Sequence, residues 1–366
     1  MKVVIATCFE SNEERASFVK RACEKRAYET RVFSSDFSHI RKEKREHGPE
    51  GFDLIGTKPY KRNLSIERIL SHHRFAKDLF VQIEKEDPDL IWLMVPANSL
   101  IRQARIYKKK HPDKKIIIDI IDMWPESLPV NFRKDRFPLT LWKKLRADNL
   151  NCADALVSEC DLYQQILEEE YDGKITTIRW ARDSKAIRPR QKIDFERLNL
   201  VYIGSINNII ATEKIASIIA NMKMPVTLHV IGEGENTASF LVTLKKVCEV
   251  IYHGPIRDEQ KKAKIFALCH AGINIYREGL YIGLTVKCID YFEHGLPIIN
   301  NIKGDTWNFV EEYGAGVNVD GENIVDATSL IEKRADNERI YELFDENLSL
   351  DVFNKRCLQV IDEVMR

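Results

Sequence analysis

Residues 276–301 read Y-R-E-G-L-Y-I-G-L-T-V-K-C-I-D-Y-F-E-H-G-L-P-I-I-N-N, and the punctuation of this stretch decides the fold. A loop holding Glu278, Gly279 and Gly283 feeds an amphipathic helix, with Thr285 placed to cap it. Gly295 and Pro297 stop that helix, and Ile298 and Ile299 begin a buried strand. Lys287 and Asp290 are three residues apart and share one helix face. Free N–H groups and the helix dipole make such a loop–helix junction an anion site, and Lys287 adds a formal charge. Asp290, one turn deeper, is suited to accept hydrogen bonds from sugar hydroxyls. The same pattern also describes an ordinary loop–helix–strand connection with surface charges.

Upstream, the pattern repeats. The strand L-N-L-V-Y-I ends in Gly204-Ser205, the strand from Val226 to Ile231 in Gly232-Glu233-Gly234, and that from Val250 to His253 in Gly254-Pro255. Strands ending in glycine or proline turns on one edge argue for a cleft that takes a ligand close to the backbone. The first half also alternates strand and helix, from the strand Lys2–Thr7 through the buried run Leu90–Val95 to Ile116–Ile121. Its first loop, C-F-E-S-N-E-E-R, is acidic and lacks glycine, so it is not assigned to phosphate. Arg41–His47 reads as a solvated, mobile loop. Ser184–Arg197, with Pro189, high charge and little periodicity, is the expected linker between two domains.

The 366 residues suffice for two α/β cores, and 44% hydrophobic with 31% charged content is ordinary globular composition. A formal net charge of +0 argues against a nucleic-acid partner. No apolar run approaches ~18 residues, so no membrane-spanning helix is expected, and the start M-K-V-V-I-A-T reads as a strand, not a leader. Eight cysteines without a C-x-x-C pair read as buried thiols of a reducing cytoplasm, with no metal site expected. Asp119 and Asp122 point to opposite faces if one strand carries both, which argues against a shared metal. Arg102, Arg105, Lys108, Lys109, Lys110, His111, Lys114 and Lys115 form a basic segment. It reads either as a surface resting on anionic lipid at the inner face of the membrane or as a solvated helix end that complements the dipole.

Several segments together resemble the GT-B glycosyltransferases, and the second half is similar to the retaining family 4 (glycosyl transferases group 1). V-Y-I-G-S, L-H-V-I-G-E-G-E and V-I-Y-H-G-P-I resemble that family's glycine-ended strands. K-C-I-D-Y-F-E-H-G-L-P-I-I resembles its K-x-x-E-Y-x-x-x-G-x-P-V-V signature. D-I-I-D-M-W-P-E-S resembles the D-x-x-D-x-W-P-E-S of members that build surface polysaccharides. The resemblance implies two doubly wound Rossmann-like domains facing a central cleft. An acceptor-side domain would cover 1–185, a nucleotide-sugar-binding domain 186–348, and a terminal helix, 349–366, would pack back on the first. The implied reaction is metal-independent transfer from a nucleoside-diphosphate sugar to a hydroxyl of a glycan or lipid-linked acceptor, with no cofactor. A non-catalytic sugar-nucleotide-binding paralogue, or a scaffold of a membrane glycan synthase, is the alternative. An epimerase or phosphorylase with the same shell is a further rival.

The resemblance also implies roles. Lys287 would contact the donor diphosphate, with Gly204, Ser205, Gly232, Gly234, Gly283 and Thr285 lining its site. Asp290 stands where the family has a ribose-binding Glu. Pro255 and Ile256 would lie near the base. Glu278 and Gly279 resemble the pair at the sugar, although Ile282 occupies the family's acid position relative to Asp290. Ser205 stands where many members have a diphosphate-binding Arg, a loss that Arg182 or Lys303 would have to offset. Asp122, near the place of a cleft histidine, would orient sugar or acceptor, or cap its own loop. Trp124 is either an acceptor-stacking ring or a hydrophobic plug, and Glu126 an anchor of that loop.

Overall fold

The computed structural model describes residues 1–63, 65–128, 139–183, 196–321 and 325–366. Residues 184–195 of the expected linker lie outside that set. The chain divides into two compact units, Met1–Arg179 with Phe353–Arg366, and Trp180–Val352.

The first unit runs β1 (Lys2–Thr7), α1 (Glu13–Glu24), β2 (Glu29–Ser35), β3 (Phe37–Ser38), β4 (Glu43–Lys44), β5 (Phe52–Ile55), α2 (Ile66–Glu86), β6 (Leu90–Val95), α3 (Ser99–Lys110), β7 (Lys115–Ile120), α4 (Leu139–Ala147), β8 (Ala155–Ser158), α5 (Asp161–Glu170) and β9 (Ile175–Thr177). Seven strands form a parallel sheet in the order β5-β2-β1-β6-β7-β8-β9. The order reverses between β1 and β6, which makes that edge the topological switch point of a doubly wound sheet. β6 is buried along its whole length, as a parallel strand covered on both faces must be. A fully buried ion pair ties α1 to β7: Arg15 Nε and Nη2 donate to Asp119 at 2.8 and 2.9 Å, and Trp92 Nε1 donates to the same carboxylate at 3.1 Å. Asp119 is thus a structural counter-ion.

The expected mobile loop Arg41–His47 is instead partly ordered. Its Glu43–Lys44 pairs antiparallel with Phe37–Ser38, and Arg45 sits on the buried Glu13 at 2.6 Å. A carboxylate removed from water needs a cation, and the charge run supplies it. Several members of the basic segment around α3 share three carboxylates within the unit. Lys108 and Lys115 meet Asp154, Lys110 and His111 meet Glu84, and Lys114 meets Asp87. Among the described residues no helix is long and apolar enough to cross a membrane.

The second unit runs β10 (Leu198–Ile203), α6 (Thr212–Ala220), β11 (Val226–Ile231), α7 (Thr237–Leu244), β12 (Glu249–Gly254), α8 (Glu259–Phe266), β13 (Ala271–Asn274), α9 (Val286–Glu293), β14 (Ile298–Asn300), α10 (Asp305–Tyr313), β15 (Gly316–Asn318), α11 (Ala327–Ala335) and α12 (Glu338–Asn347). The last helix, α13 (Leu350–Met365), belongs to the first unit from Phe353 on. The second sheet is also parallel, in the order β12-β11-β10-β13-β14-β15, and reverses between β10 and β13.

Two glycines let α9 seat on this sheet. A Cβ at Gly272, inside β13, would lie 2.5 Å from the Tyr291 ring. The ring packs there, and its hydroxyl accepts from Ile203 N–H (3.0 Å) and donates to Val201 O (3.2 Å) on β10. Gly295, at φ 62°, ends the helix, and a Cβ there would strike Asn337 and Tyr341 of α12. The turn after α9 is then pinned by Arg334 of α11. Its guanidinium donates to the carbonyls of Phe266, Cys269, His294 and Gly295 at 2.6–3.1 Å.

Candidate functional site

At the switch point of the second sheet, the turn after β10, the end of β13 and the first turn of α9 enclose a cavity of about 350 Å³. Gly204, Ser205, Tyr276, Thr285, Lys287 and Asp290 are among its walls. The chain after β10 crosses to β13 and is held there by Arg277 N–H to Ile209 O (2.9 Å).

The glycine turns are laced to one another. Gly204 N–H donates to Ile231 O (3.0 Å), and Gly232 N–H to Gly254 O (2.9 Å). Gly232 has φ 128°, and a Cβ on it would stand 2.1 Å from Gly204 O. A Cβ on Gly234 would stand 2.3 Å from Ile206 O. These two glycines are required by the approach of one turn to the next. Gly204, at φ 117°, faces the cavity, with the Lys287 side chain as its nearest neighbour.

Lys287 is buried, and its Nζ has no hydrogen-bond partner. It lies 4.1 Å from the Tyr202 ring centre and 4.8 Å from that of Tyr276. Burial pushes its pKa down to about 7. An ammonium without a counter-ion, beside the N-terminus of an eight-residue helix, suits an anion.

Thr285 occupies the N-cap position of α9, but its hydroxyl does not cap. It donates instead to Asn274 Oδ1 at 2.8 Å. Asn274, Asn300 and Asn318 stand in register across β13, β14 and β15. Asn274 Nδ2 donates to Asn300 Oδ1, and Asn300 Nδ2 to Asn318 Oδ1, both at 2.8 Å. Asn318 Nδ2 finishes the row on Trp307 O (3.1 Å). A buried amide has to be satisfied, and this row takes the hydroxyl that the helix end would otherwise use.

Asp290 is engaged as well. Its Oδ1 accepts from Arg182 Nε at 2.9 Å, with Lys262 Nζ 3.8 Å away. Arg182 is thus the cation set against Asp290. Lys303 pairs with Asp320 at the surface and lies against Trp307. Glu278 is exposed, its side chain 90% accessible, with Lys214 3.9 Å away. Gly279, at φ 79°, turns the same loop, and Gly283 O accepts from Thr306 N–H (2.9 Å) and Oγ1 (2.8 Å). Pro255 and Ile256 follow the edge strand β12.

In the first unit Asp122 follows β7 and accepts from Trp124 Nε1 (2.6 Å) and Ser127 Oγ. Burial raises its pKa. Trp124 is 7% exposed and packs against Phe9, His72 and Trp142, so its environment is that of a plug. Glu126 anchors the loop through Arg146 at 2.8 and 3.0 Å. Arg68 and His72, both buried here, were not legible in the sequence. Their spacing of four on α2 was the available signal. Among the described residues, no group of three or more His, Cys, Asp or Glu could hold a metal ion.

The sequence matches no protein-family model and no curated relative. Solved structures do resemble it. Sucrose-phosphate synthase from Thermosynechococcus elongatus has a TM-score of 0.74 at 12% identity, over 100% of this chain and 99% of that one. The lipopolysaccharide outer core galactosyltransferase WaaB has 0.66 at 13%, over 99% of each chain. HepE of Anabaena, solved with UDP and glucose, has 0.67 at 11%, over 99% and 100%. The fold is that of these GT-B glycosyltransferases.

Proposed function

We propose that this chain is a glycosyltransferase that moves a sugar from a nucleoside-diphosphate sugar to a hydroxyl of a glycan or lipid-linked acceptor, in the assembly of a surface polysaccharide. The observation that carries the reading is Lys287: a buried, unpartnered amine at a helix N-terminus, in a cavity at the switch point of a doubly wound sheet. Support comes from neighbours described as bound to UDP or to a UDP sugar. In this reading Gly204, Ser205 and the first turn of α9 receive the diphosphate. Asp290, held by Arg182, orients the ribose.

The bond from the anomeric carbon to the diphosphate breaks, and one from that carbon to the acceptor oxygen forms. The departing oxygens gain charge, which protonated Lys287 and the N–H groups of α9 stabilise without requiring a metal. With retention of configuration, the acceptor proton passes to a diphosphate oxygen, and Asp122 orients the acceptor without acting as a base.

The test is release of free nucleoside diphosphate from a panel of nucleotide sugars, with and without polysaccharide-derived acceptors and with chelator. Release that depends on acceptor, survives chelation and falls by ~10²-fold or more in Lys287→Ala supports the reading. Turnover unchanged in that variant removes it. The anomeric coupling constant of the product decides retention.

A further inference from the structure

Arg68 sits in the first turn of α2, in the first unit, and is 2% exposed. Its Nη1 donates to Asn63 O (2.8 Å), while Nε and Nη2 are buried with no partner. The guanidinium lies over Trp124 at 4.2 Å and beside Phe9 and Tyr60 at 5.7 and 5.8 Å. One turn on, His72 is 2% exposed, with both ring nitrogens unpartnered.

A buried guanidinium with two idle donors is costly. The charge of Asp122 lowers that cost, but no nearby acid gives the two donors a hydrogen bond. Asp122 is taken by Trp124 and Ser127, and Glu10 by Ser38 Oγ (2.8 Å) and Ile40 N–H (3.1 Å). A second cation, Lys42, stands 4.9 Å from the Tyr60 ring centre, and His39 meets the Tyr60 hydroxyl at 2.6 Å. Lys42 and His39 are only partly buried, so the cluster has a rim toward solvent.

From this arrangement we infer that Arg68 and His72 form an oxyanion site, which takes a phosphate or carboxylate carried by a small sugar-like ligand. The planar fork of Arg68 matches two oxygens of either group. His72 supplies one donor and one acceptor for neighbouring hydroxyls. The aromatic walls keep water out and strengthen the contact. The site stands on the geometry of the first unit alone. Identifying its ligand with the acceptor rests on the proposed function and makes that acceptor anionic.

The test titrates the full chain, without nucleotide and at constant ionic strength, with inorganic phosphate, glucose 6-phosphate, glucuronate and neutral glucose, reading the melting temperature. The three anions, or the phosphates alone, or glucuronate alone, should raise it saturably; the pattern names the oxyanion. Glucose should not. Arg68→Met should abolish the shift while melting at or above the wild-type temperature in anion-free buffer, because an idle buried charge is gone. Arg68→Lys should bind on the order of ten- to a hundredfold more weakly. The shift should persist in Lys287→Ala. An undiminished shift in Arg68→Met overturns the inference. So does a melting temperature that falls without anion, or a shift lost in Lys287→Ala. No transfer is read, so failure of the glycosyltransferase reading would leave these outcomes intact.

Discussion

Lys287 Nζ stands 4.1 Å from the centre of the Tyr202 ring, and that π-face does not replace a counter-ion. The folded protein holds this proton less tightly than the unfolded chain, with a pKa near 7 against 10.5. Between those values the unfolded state binds more protons, so this group makes stability rise with pH across the window, and its penalty is full below it. Lys287→Met should therefore raise the melting temperature at pH 6.5 and do little near pH 10.5. A diphosphate restores the charge. At pH 8, calorimetry in buffers of different ionisation enthalpy should show proton uptake when nucleoside diphosphate binds, and Lys287→Met should lose it. Equal heats in all buffers would contradict this.

Asp122 has its pKa raised by burial. Any stability tied to its protonated form is present at low pH and lost as pH rises through the folded pKa, so ionising the group in the folded state carries a cost. Asp122→Asn can keep an oxygen on Trp124 Nε1 and let the Ser127 hydroxyl rotate, so it should be at least as stable as the wild type at pH 7. For a residue that only orients, the turnover rate should fall less than ~10-fold; a general base would cost ~10²–10⁴-fold.

Gly232→Ala forces a side chain at φ 128° to within 2.1 Å of Gly204 O. It should cost about 2–4 kcal/mol in urea denaturation. Gly279→Ala, at φ 79° with nothing within 4 Å, should cost about 1 kcal/mol. Equal costs would mean that backbone conformation, not the approach of the two turns, governs both sites.

Arg334→Met takes a charged donor from four buried carbonyls, of which Phe266 O keeps Cys269 N–H and Gly295 O keeps Asn337 Nδ2, and should cost about 2–4 kcal/mol, with Arg334→Lys recovering part of it. The loss should appear in the urea midpoint and in faster hydrogen exchange at the end of α9. Exchange unchanged there would separate Arg334 from that helix.

The fold was legible because strand length and glycine punctuation are local. The run Leu90–Val95 and the turns after Ile203, Ile231 and His253 carry their meaning within a few residues. The short edge strand Phe52–Ile55 and the pairing of Phe37–Ser38 with Glu43–Lys44 depend on distant partners, and no pattern announced them. The same limit governs the sites. Lys287 and Asp290 come from one helix and could be placed together on a shared cavity wall. Arg182 was visible, but its grip on Asp290 joins residues 108 positions apart. The exposed turn of Glu278 and the burial of Arg68 are set by packing that composition does not encode.

The asparagine row has a direction. Trp307 O can only accept, so Asn318 must present its amide nitrogen to it and its oxygen inward. Asn300 is set the same way by Ile302, whose carbonyl takes from its nitrogen (2.9 Å) and whose N–H gives to its oxygen (3.0 Å), and Asn274 then turns an oxygen toward Thr285. The hydroxyl on the cavity wall thus has its proton committed by backbone groups of Ile302 and Trp307, on the far side of the row. With that proton given away, the oxygen meets Cys288 Sγ (3.0 Å) as an acceptor, and acceptor character is all it can show to the cavity.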